Sequence, residues 1–337
     1  MTGIDEIPGA RPRRVLIVRL GSLGDAVLSV PALRTVDRWL RSLPEPPPVT
    51  ALGREFGRDI FRRAIPIDRY LNYDSIELLP LFSATSGLPG ATYDLLGRPD
   101  FAIIWLREYR PLANKLREAG CRCVLAGESF PNDDLTHMSD HLLRLLVPLG
   151  VSDRDESVLS TSSSERRRGS YLVDRGNGGR RLALIHPGSG SWRKNWPAAN
   201  FARLMGGLRD QDWSLRVLRG PADAESVENL SRALDRMPVN VIEPASVSDL
   251  CGVLASVDLV VSNDSGVAHL SAALGQPTVA VFGPTNVFRW APRGIAAVVV
   301  PPKMGADWPP VDEVLRGCMA AIEPKVEPAG GGPSEAF

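Results

Sequence analysis

The sequence predicts two doubly wound α/β domains, each a parallel sheet flanked by helices. Three observations predict this class. Short apolar runs alternate with stretches of helical spacing along most of the chain. Glycine-rich turns join strand to helix after Leu20 and again after Pro187. A stretch rich in Ser, Arg, Asp and Gly over about 152–180 separates the two series. A chain of 337 residues also exceeds the usual single core and suits two domains of about 150 residues each.

Residues 1–12, with Gly3, Pro8, Gly9 and Pro12, read as a loose leader. Val15 to Leu20 is a β-rich run ending in Gly21-Ser22-Leu23-Gly24-Asp25, and Ala26 to Leu43 follows at helical spacing through Val30, Leu33, Val36 and Leu40. Pro48 to Leu52, Phe101 to Leu106 and Cys123 to Gly127 predict further strands, and the Gly-, Pro- and Ser-containing stretch 75–99 predicts a loop or cover. His137 to Leu149 predicts a helix stopped by Gly150. The second series starts with strand Leu182 to His186 and a helix over Pro197 to Leu208. Strands follow at Leu215 to Leu218, Val239 to Ile242, Leu259 to Ser262 and Thr278 to Phe282, with helices at Val267 to Leu274 and Val311 to Ile322. The expected division is an N-terminal domain over 1–165, a linker over 166–180, a C-terminal domain over 181–322 and a disordered tail over 323–337, with room for an exposed helix in the separating stretch.

Composition narrows the function classes. The 39 basic and 39 acidic residues cancel, so no basic excess points to nucleic acid. All but four of the basic residues are arginine, and Lys194 is one of the few lysines inside a motif. Cys121, Cys123, Cys251 and Cys318 lack metal-site spacing and read as buried reduced thiols. His137 and His141 stand one helical turn apart without a third ligand, so no metal site is expected. The apolar run near the N-terminus is broken by Arg19 after four residues, too short for a secretory core, and no run reaches the roughly 18 residues of a membrane span. A cytoplasmic location is the expectation.

Ligands of open parallel sheets sit at the C-terminal ends of the strands. Gly21, Ser22 and Gly24 form a turn that lets the backbone approach a ligand, and Asp25 follows near a helix start. Asp25 is there either a helix cap or a general base for an attacking hydroxyl. His186 to Pro197 (HPGSGSWRKNWP) offers hydroxyls and N–H groups around Ser189, with positive charge on Arg193 and Lys194, as a phosphate cradle. Its spacing is not that of a P-loop. Ser262 to His269 runs from a strand end into a helix, with Asp264 and Ser265 as caps and Gly266 at the open N-terminus. His269 lies one turn inside, as a ligand to phosphate or ribose or as a satisfied core histidine. Gly283-Pro284-Thr285-Asn286, with Trp290 and Pro292 behind it, could close over a base or sugar, and Asp223 or Glu225 could accept ribose hydroxyls.

Taken in order, GSLGDAVLSVPAL, HPGSGSWRKNWP, NDSGVAHLSAALGQPTVAVFGPT and WAPRG resemble the heptosyltransferase family that uses ADP-heptose in lipopolysaccharide core assembly. The resemblance runs from about Arg14 to about Ala321. It implies a GT-B type fold, two Rossmann-like domains facing a central cleft, with the acceptor on the N-terminal side and the nucleotide sugar on the C-terminal side. It further implies inverting, metal-independent transfer without a cofactor, the nucleotide sugar being a substrate. By the same resemblance Asp25 is the catalytic base, Lys194 and the Ser189 loop bind the donor diphosphate, and Asp264, Ser265, Gly266 and His269 hold the phosphates. Glu225 aligns loosely with a ribose-binding acid. No family motif is recognised over 75–99, which leaves the acceptor open.

The alternatives are a same-fold transferase with another nucleotide sugar or a non-lipopolysaccharide acceptor, a nucleotide-sugar epimerase, and a nucleotide-binding scaffold without catalysis. A lipid-linked acceptor would call for a peripheral contact at the inner face of the cytoplasmic membrane, for which Arg62-Arg63 and Arg166-Arg167-Arg168 offer charge.

Overall fold

The computed structural model describes residues 11–83, 87–150, 159–174, 179–235, 238–294 and 297–323. Nearly all of the expected leader, and the tail from 324 onward, lie outside the described residues, as do 152–158 and 175–178 of the separating stretch.

The first half of the chain runs β1 (Val15–Arg19), α1 (Leu23–Leu28), α2 (Val30–Arg41), β2 (Val49–Gly53), α3 (Gly57–Ala64), β3 (Arg69–Asn72), α4 (Leu79–Phe82) and α5 (Gly90–Leu95). It continues through β4 (Phe101–Trp105), α6 (Tyr109–Glu118), β5 (Cys123–Gly127), α7 (Met138–Arg144) and α8 (Ser163–Leu172). The second half runs β6 (Leu182–His186), α9 (Ala198–Asp210), β7 (Ser214–Leu218), α10 (Ala224–Ala233), β8 (Asn240–Ile242) and α11 (Val247–Leu254). Then come β9 (Leu259–Asn263), α12 (Gly266–Ala273), β10 (Thr278–Val281), α13 (Val287–Trp290), β11 (Ala297–Val300) and α14 (Val311–Ile322).

Among the described residues the first sheet has five parallel strands in the order β3-β2-β1-β4-β5, and the second six in the order β11-β10-β9-β6-β7-β8. Both orders reverse direction at the first strand of the half, so β1 and β4, and β6 and β9, leave a crevice at their C-terminal ends. β1, β2, β4, β6 and β9 are buried along their full length, which explains their near-continuous apolar runs. The two halves share an apolar cluster that passes from Val27, Val30 and Phe61 through Leu159 and Val173 to Leu254, Val267 and Leu270. The two-domain, doubly wound fold expected from alternation is therefore present.

Four local expectations need correction. The single helix expected over 26–43 is two helices that meet at Ser29, because Pro31 has no N–H to give and disfavours continuation through its predecessor. β3 and β11 were not expected. β3 is a half-buried edge strand, RYLN, with none of the fully apolar signature of its neighbours. The cover over 75–99 contains α4 and α5, the former anchored by the buried Lys115 ammonium, which donates to Pro80 O at 2.6 Å and Ser83 O at 2.8 Å. The helix expected over 137–149 is α7, ending at Arg144, followed by a 3₁₀ turn over Val147–Leu149.

The stretch expected as a linker from 166 is helical to Leu172 and belongs structurally with α11. Gly169 and Gly252 let the two helices touch backbone to backbone: a Cβ on Gly169 would sit 2.0 Å from Gly252 C. Glu165 at the start of α8 ties three elements together, paired with Arg63 of α3 and bonded to Ser248 of α11. Those bonds, with Ser162, overcome burial and hold the Glu165 carboxyl down at about 2. Arg63 and Arg168, the latter paired with Asp249, are thus partly spent on internal ion pairs. No helix among the described residues is long and apolar enough to cross a membrane.

Candidate functional site

The site is built where α1 of the first domain meets α12 of the second. At the end of β1 the chain turns through Gly21, whose φ of +147° suits glycine and whose Cβ would sit 2.6 Å from that of Asp25. That room lets Asp25 fold back as half of a capping box. Ser22 Oγ accepts from Asp25 N, and Asp25 Oδ2 accepts from Ser22 N at 2.7 Å and Ser22 Oγ at 2.8 Å. Asp25 Oδ1 faces Arg19 Nη2 at 3.2 Å. The N-cap of α1 is thus Ser22 rather than Asp25, which stands at N3 as its partner in the box, and the Asp25 carboxylate is only 13% exposed at the cleft side of α1.

Gly24 carries the contact between domains. A Cβ there would meet His269 Cδ2 at 3.1 Å and Gly266 Cα at 3.5 Å. Asp25 therefore stands beside the first turn of α12. His269 is 5% exposed on that turn, and burial pushes its imidazole down to about 4, so it is neutral at neutral pH. Its Nε2 is 3.9 Å from Asp264 Oδ1, beyond hydrogen-bond range.

On the second domain, Asp264 is almost fully buried and takes its charge partner from the preceding loop: Lys194 Nζ donates to its Oδ2 at 2.8 Å. Ser265 is the N-cap of α12, accepting from Ala268 N at 3.4 Å. Gly266 is the first helical residue, and its N–H is among those a helix start leaves free. The Ser189 loop is held by Ser189 Oγ to Asn195 Oδ1 at 2.7 Å and by Asn195 Nδ2 to Ser226 Oγ at 2.9 Å. Asn263 fastens both loops, accepting from Trp196 N at 2.9 Å and donating to Pro187 O at 2.8 Å. So Lys194, Asp264, Ser265, Gly266 and His269 come together, with Asp25 opposite.

Two expectations change. Asp223 is not open to a ribose: it is buried, held by His186 Nε2 at 2.9 Å and Gly220 N at 2.7 Å, and those partners overcome burial to lower its pKa. Glu225 is exposed in the first turn of α10. Of the turn at Gly283–Asn286, Asn286 is engaged across the domain interface, as are Arg289 and Arg293 beyond it. Asn286 Nδ2 donates to Asp134 O at 2.8 Å, Arg289 pairs with Asp134 at 2.9 Å, and Arg293 grips Asp140 through both Nη atoms at 2.9 and 2.7 Å. His137 adds a bond from Nε2 to Ala291 O at 2.9 Å, and His141 bonds Glu128 O at 2.8 Å, so neither histidine is placed as a metal ligand.

Arg19 and His186 are the functional-site neighbours that sequence reasoning passed over. Arg19 closes an otherwise apolar strand, a signal that was visible. His186 bonds Ser262 Oγ at 2.9 Å and so connects Asp223 to the α12 cap, a link only the fold reveals. Among the described residues no group of three or more His, Cys, Asp or Glu is arranged to hold a metal ion.

Residues 136–305 match the model of glycosyltransferase family 9 (heptosyltransferase). Lipopolysaccharide heptosyltransferase 1 of Pseudomonas aeruginosa is 32% identical over 148 residues, which are 44% of this chain and 40% of that protein. The matched stretches span 29–40% of the length of the first curated relatives. The fold resembles a glycosyl transferase family 9 protein from Veillonella parvula, with a TM-score of 0.73 at 18% identity over 92% of this chain and 97% of that one. It equally resembles ADP-heptose lps heptosyltransferase II of Escherichia coli, with a TM-score of 0.73 at 17% identity over 92% and 98% of the respective chains.

Proposed function

Because the chain belongs to glycosyltransferase family 9, the heptosyltransferases, we propose that it is an inverting transferase that moves heptose from ADP-heptose to a hydroxyl of a lipopolysaccharide-core or related glycan. The observation that carries this reading is the meeting of α1 and α12, which sets Asp25 beside the Lys194–Asp264 pair and the α12 N-terminus. One side can accept a proton and the other can receive a diphosphate.

In this mechanism the acceptor hydroxyl oxygen attacks the anomeric carbon as its proton passes to Asp25 Oδ1. The bond from the anomeric carbon to the phosphate oxygen breaks, and its electron pair leaves with the nucleoside diphosphate. Lys194 Nζ and the N–H groups at Gly266 stabilise the developing charge, a role that in this reading needs neither a metal nor a cofactor. His269, buried and neutral, lines the same turn without adding a second charge. Ser189 holds the Lys194 loop in shape, and exposed Glu225 is the candidate partner for the ribose. The acceptor enters from the first domain, past Gly21, Ser22 and Gly24, and a lipid-linked acceptor would place the protein at the inner membrane face.

The test is transfer followed by mass spectrometry, with ADP-heptose and UDP-sugars offered with and without core-type acceptors. A heptosylated product formed only with acceptor supports the reading, and donor turnover without acceptor would mark an epimerase instead. Asp25→Asn should bind donor normally yet lose transfer by about 10²-fold or more. Normal turnover in that variant would remove Asp25 from the base role.

A further inference from the structure

Resting on the reading of Asp25 as the base, we propose that Arg19 is a positioning residue for transfer, fixing the Asp25 carboxylate in its capping rotamer. The last residue of β1 follows Val15-Leu16-Ile17-Val18, all essentially buried, and Arg19 is itself only 3% exposed. A guanidinium in that position loses its hydration, and burial accordingly lowers its pKa, yet arginine keeps its proton. Its bonds do not repay the loss. Nη1 donates to Leu20 O at 3.0 Å, Nη2 meets Asp25 Oδ1 at 3.2 Å, and Nε is buried without a hydrogen-bond partner. The Phe130 ring lies 6.0 Å from the guanidinium carbon. A leucine would pack the strand end with no unfilled donor, so packing does not account for the charge.

The Asp25 carboxylate does. Its Oδ2 is taken by Ser22 N and Ser22 Oγ, so Oδ1 is the oxygen left for a substrate proton, and Oδ1 is the one Arg19 holds. The other charged groups near α1 are spoken for. His269 of α12 faces Asp25 in neutral form, Lys194 is turned to Asp264, and His137, the N-cap of α7, lowered by burial, is bonded to Ala291 O. Among the described residues Arg19 is therefore the cation in contact with the carboxylate. Removing it leaves Oδ1 without that contact, so the carboxylate is freed to leave the capping rotamer and the proton-accepting oxygen is less often in place.

The experiment measures kcat and KM for transfer in full-length Arg19→Met and Arg19→Lys, with circular dichroism and donor calorimetry beside it. In Arg19→Met kcat should fall by about tenfold or more while donor affinity stays within about twofold. Arg19→Lys keeps a cationic donor at that place and should recover most of the lost kcat. An unchanged kcat in folded Arg19→Met, or a loss that falls equally on donor affinity, would overturn the proposal. Should Arg19→Met not fold, Arg19→Lys decides: a reduced kcat with unchanged donor affinity supports the positioning role, and a loss confined to donor affinity overturns it. Full turnover in Asp25→Asn would instead sink the base assignment, so the two failures are distinct.

Discussion

Gly24 of the first domain and Gly266 of the second meet backbone to backbone: a methyl group on Gly266 would stand 2.9 Å from Gly24 N and 2.9 Å from Leu23 Cβ. The contact puts two helix N-termini side by side, one capped by the Ser22/Asp25 box and the other by Ser265. A site assembled across two domains needs such a fixed point, because a misplacement of about 1 Å can cost catalysis heavily.

Gly266→Ala isolates that contact. Alanine is the better helix residue, so any loss must come from the interface rather than from α12 itself. Overpacking should cost about 1–3 kcal/mol in urea unfolding. Turnover should fall by about tenfold or more as α1 and α12 are pushed apart. Wild-type kinetics in this variant would mean that the closed contact is not the catalytic one.

Lys194→Ala removes the charge partner of a carboxylate that is 4% exposed. Donor affinity should drop by about 10- to 100-fold, equivalent to about 1.4–2.7 kcal/mol. Asp264, left buried and unpaired, should also lower stability, although the partly exposed lysine limits that part. Calorimetry with the nucleoside diphosphate reads the first effect directly. Restoring affinity with Lys194→Ala,Asp264→Asn would show that the uncompensated acid, not the missing cation, was the cause.

Most of the fold was legible because its strands are fully buried: runs such as Leu182 to His186 admit no other reading once flanked by helical patterns. What escaped was written in weak local signals. α8 (SSERRRGSYL) has almost no apolar period, and its evidence lay in the Ser162/Glu165 capping box and in Gly169, whose meaning depends on Gly252 across 83 positions. The site shows the same division. Asp25, Lys194 and the Asp264–His269 turn stand at strand ends, where a parallel sheet presents ligands. The commitment of Asp223 to His186, and of Asn286 and Arg293 to the other domain, follows from pairings far apart in sequence that periodicity does not encode.

His269 makes stability depend on pH in a predictable sense. Its folded value, lowered by burial from 6.5 to about 4, means that the unfolded chain takes up a proton first as pH falls. Stability is therefore full above about pH 6.5 and declines toward pH 4, with a limiting slope near 1.36 kcal/mol per pH unit and a total of about 3 kcal/mol. Urea unfolding across that range should show the slope in the wild type and a shallower one in His269→Gln. Equal slopes would place the imidazole in solvent rather than at the α1–α12 contact.

The interdomain clasp should affect rate more than stability. Arg293 and Asp140 are 43% and 26% exposed, so even their two-bond pairing is worth only about 0.5–1 kcal/mol. Arg289–Asp134 is similar in kind, yet together these pairs fix the 286–293 loop against α7 and the turn before it. On its other side the loop abuts α12: a Cβ on Gly294 would lie 2.4 Å from Ala272 O. Loosening Arg293 thus loosens the support of α12, where the donor is proposed to bind. Arg293→Ala should melt within about 1 kcal/mol of the wild type but lose about three- to tenfold in kcat/KM. Because exposed charge pairs are screened by salt, raising ionic strength should slow the wild type toward the variant while changing the variant less. Parallel salt profiles for the two proteins would mean that the pair contributes nothing to holding the domains in register.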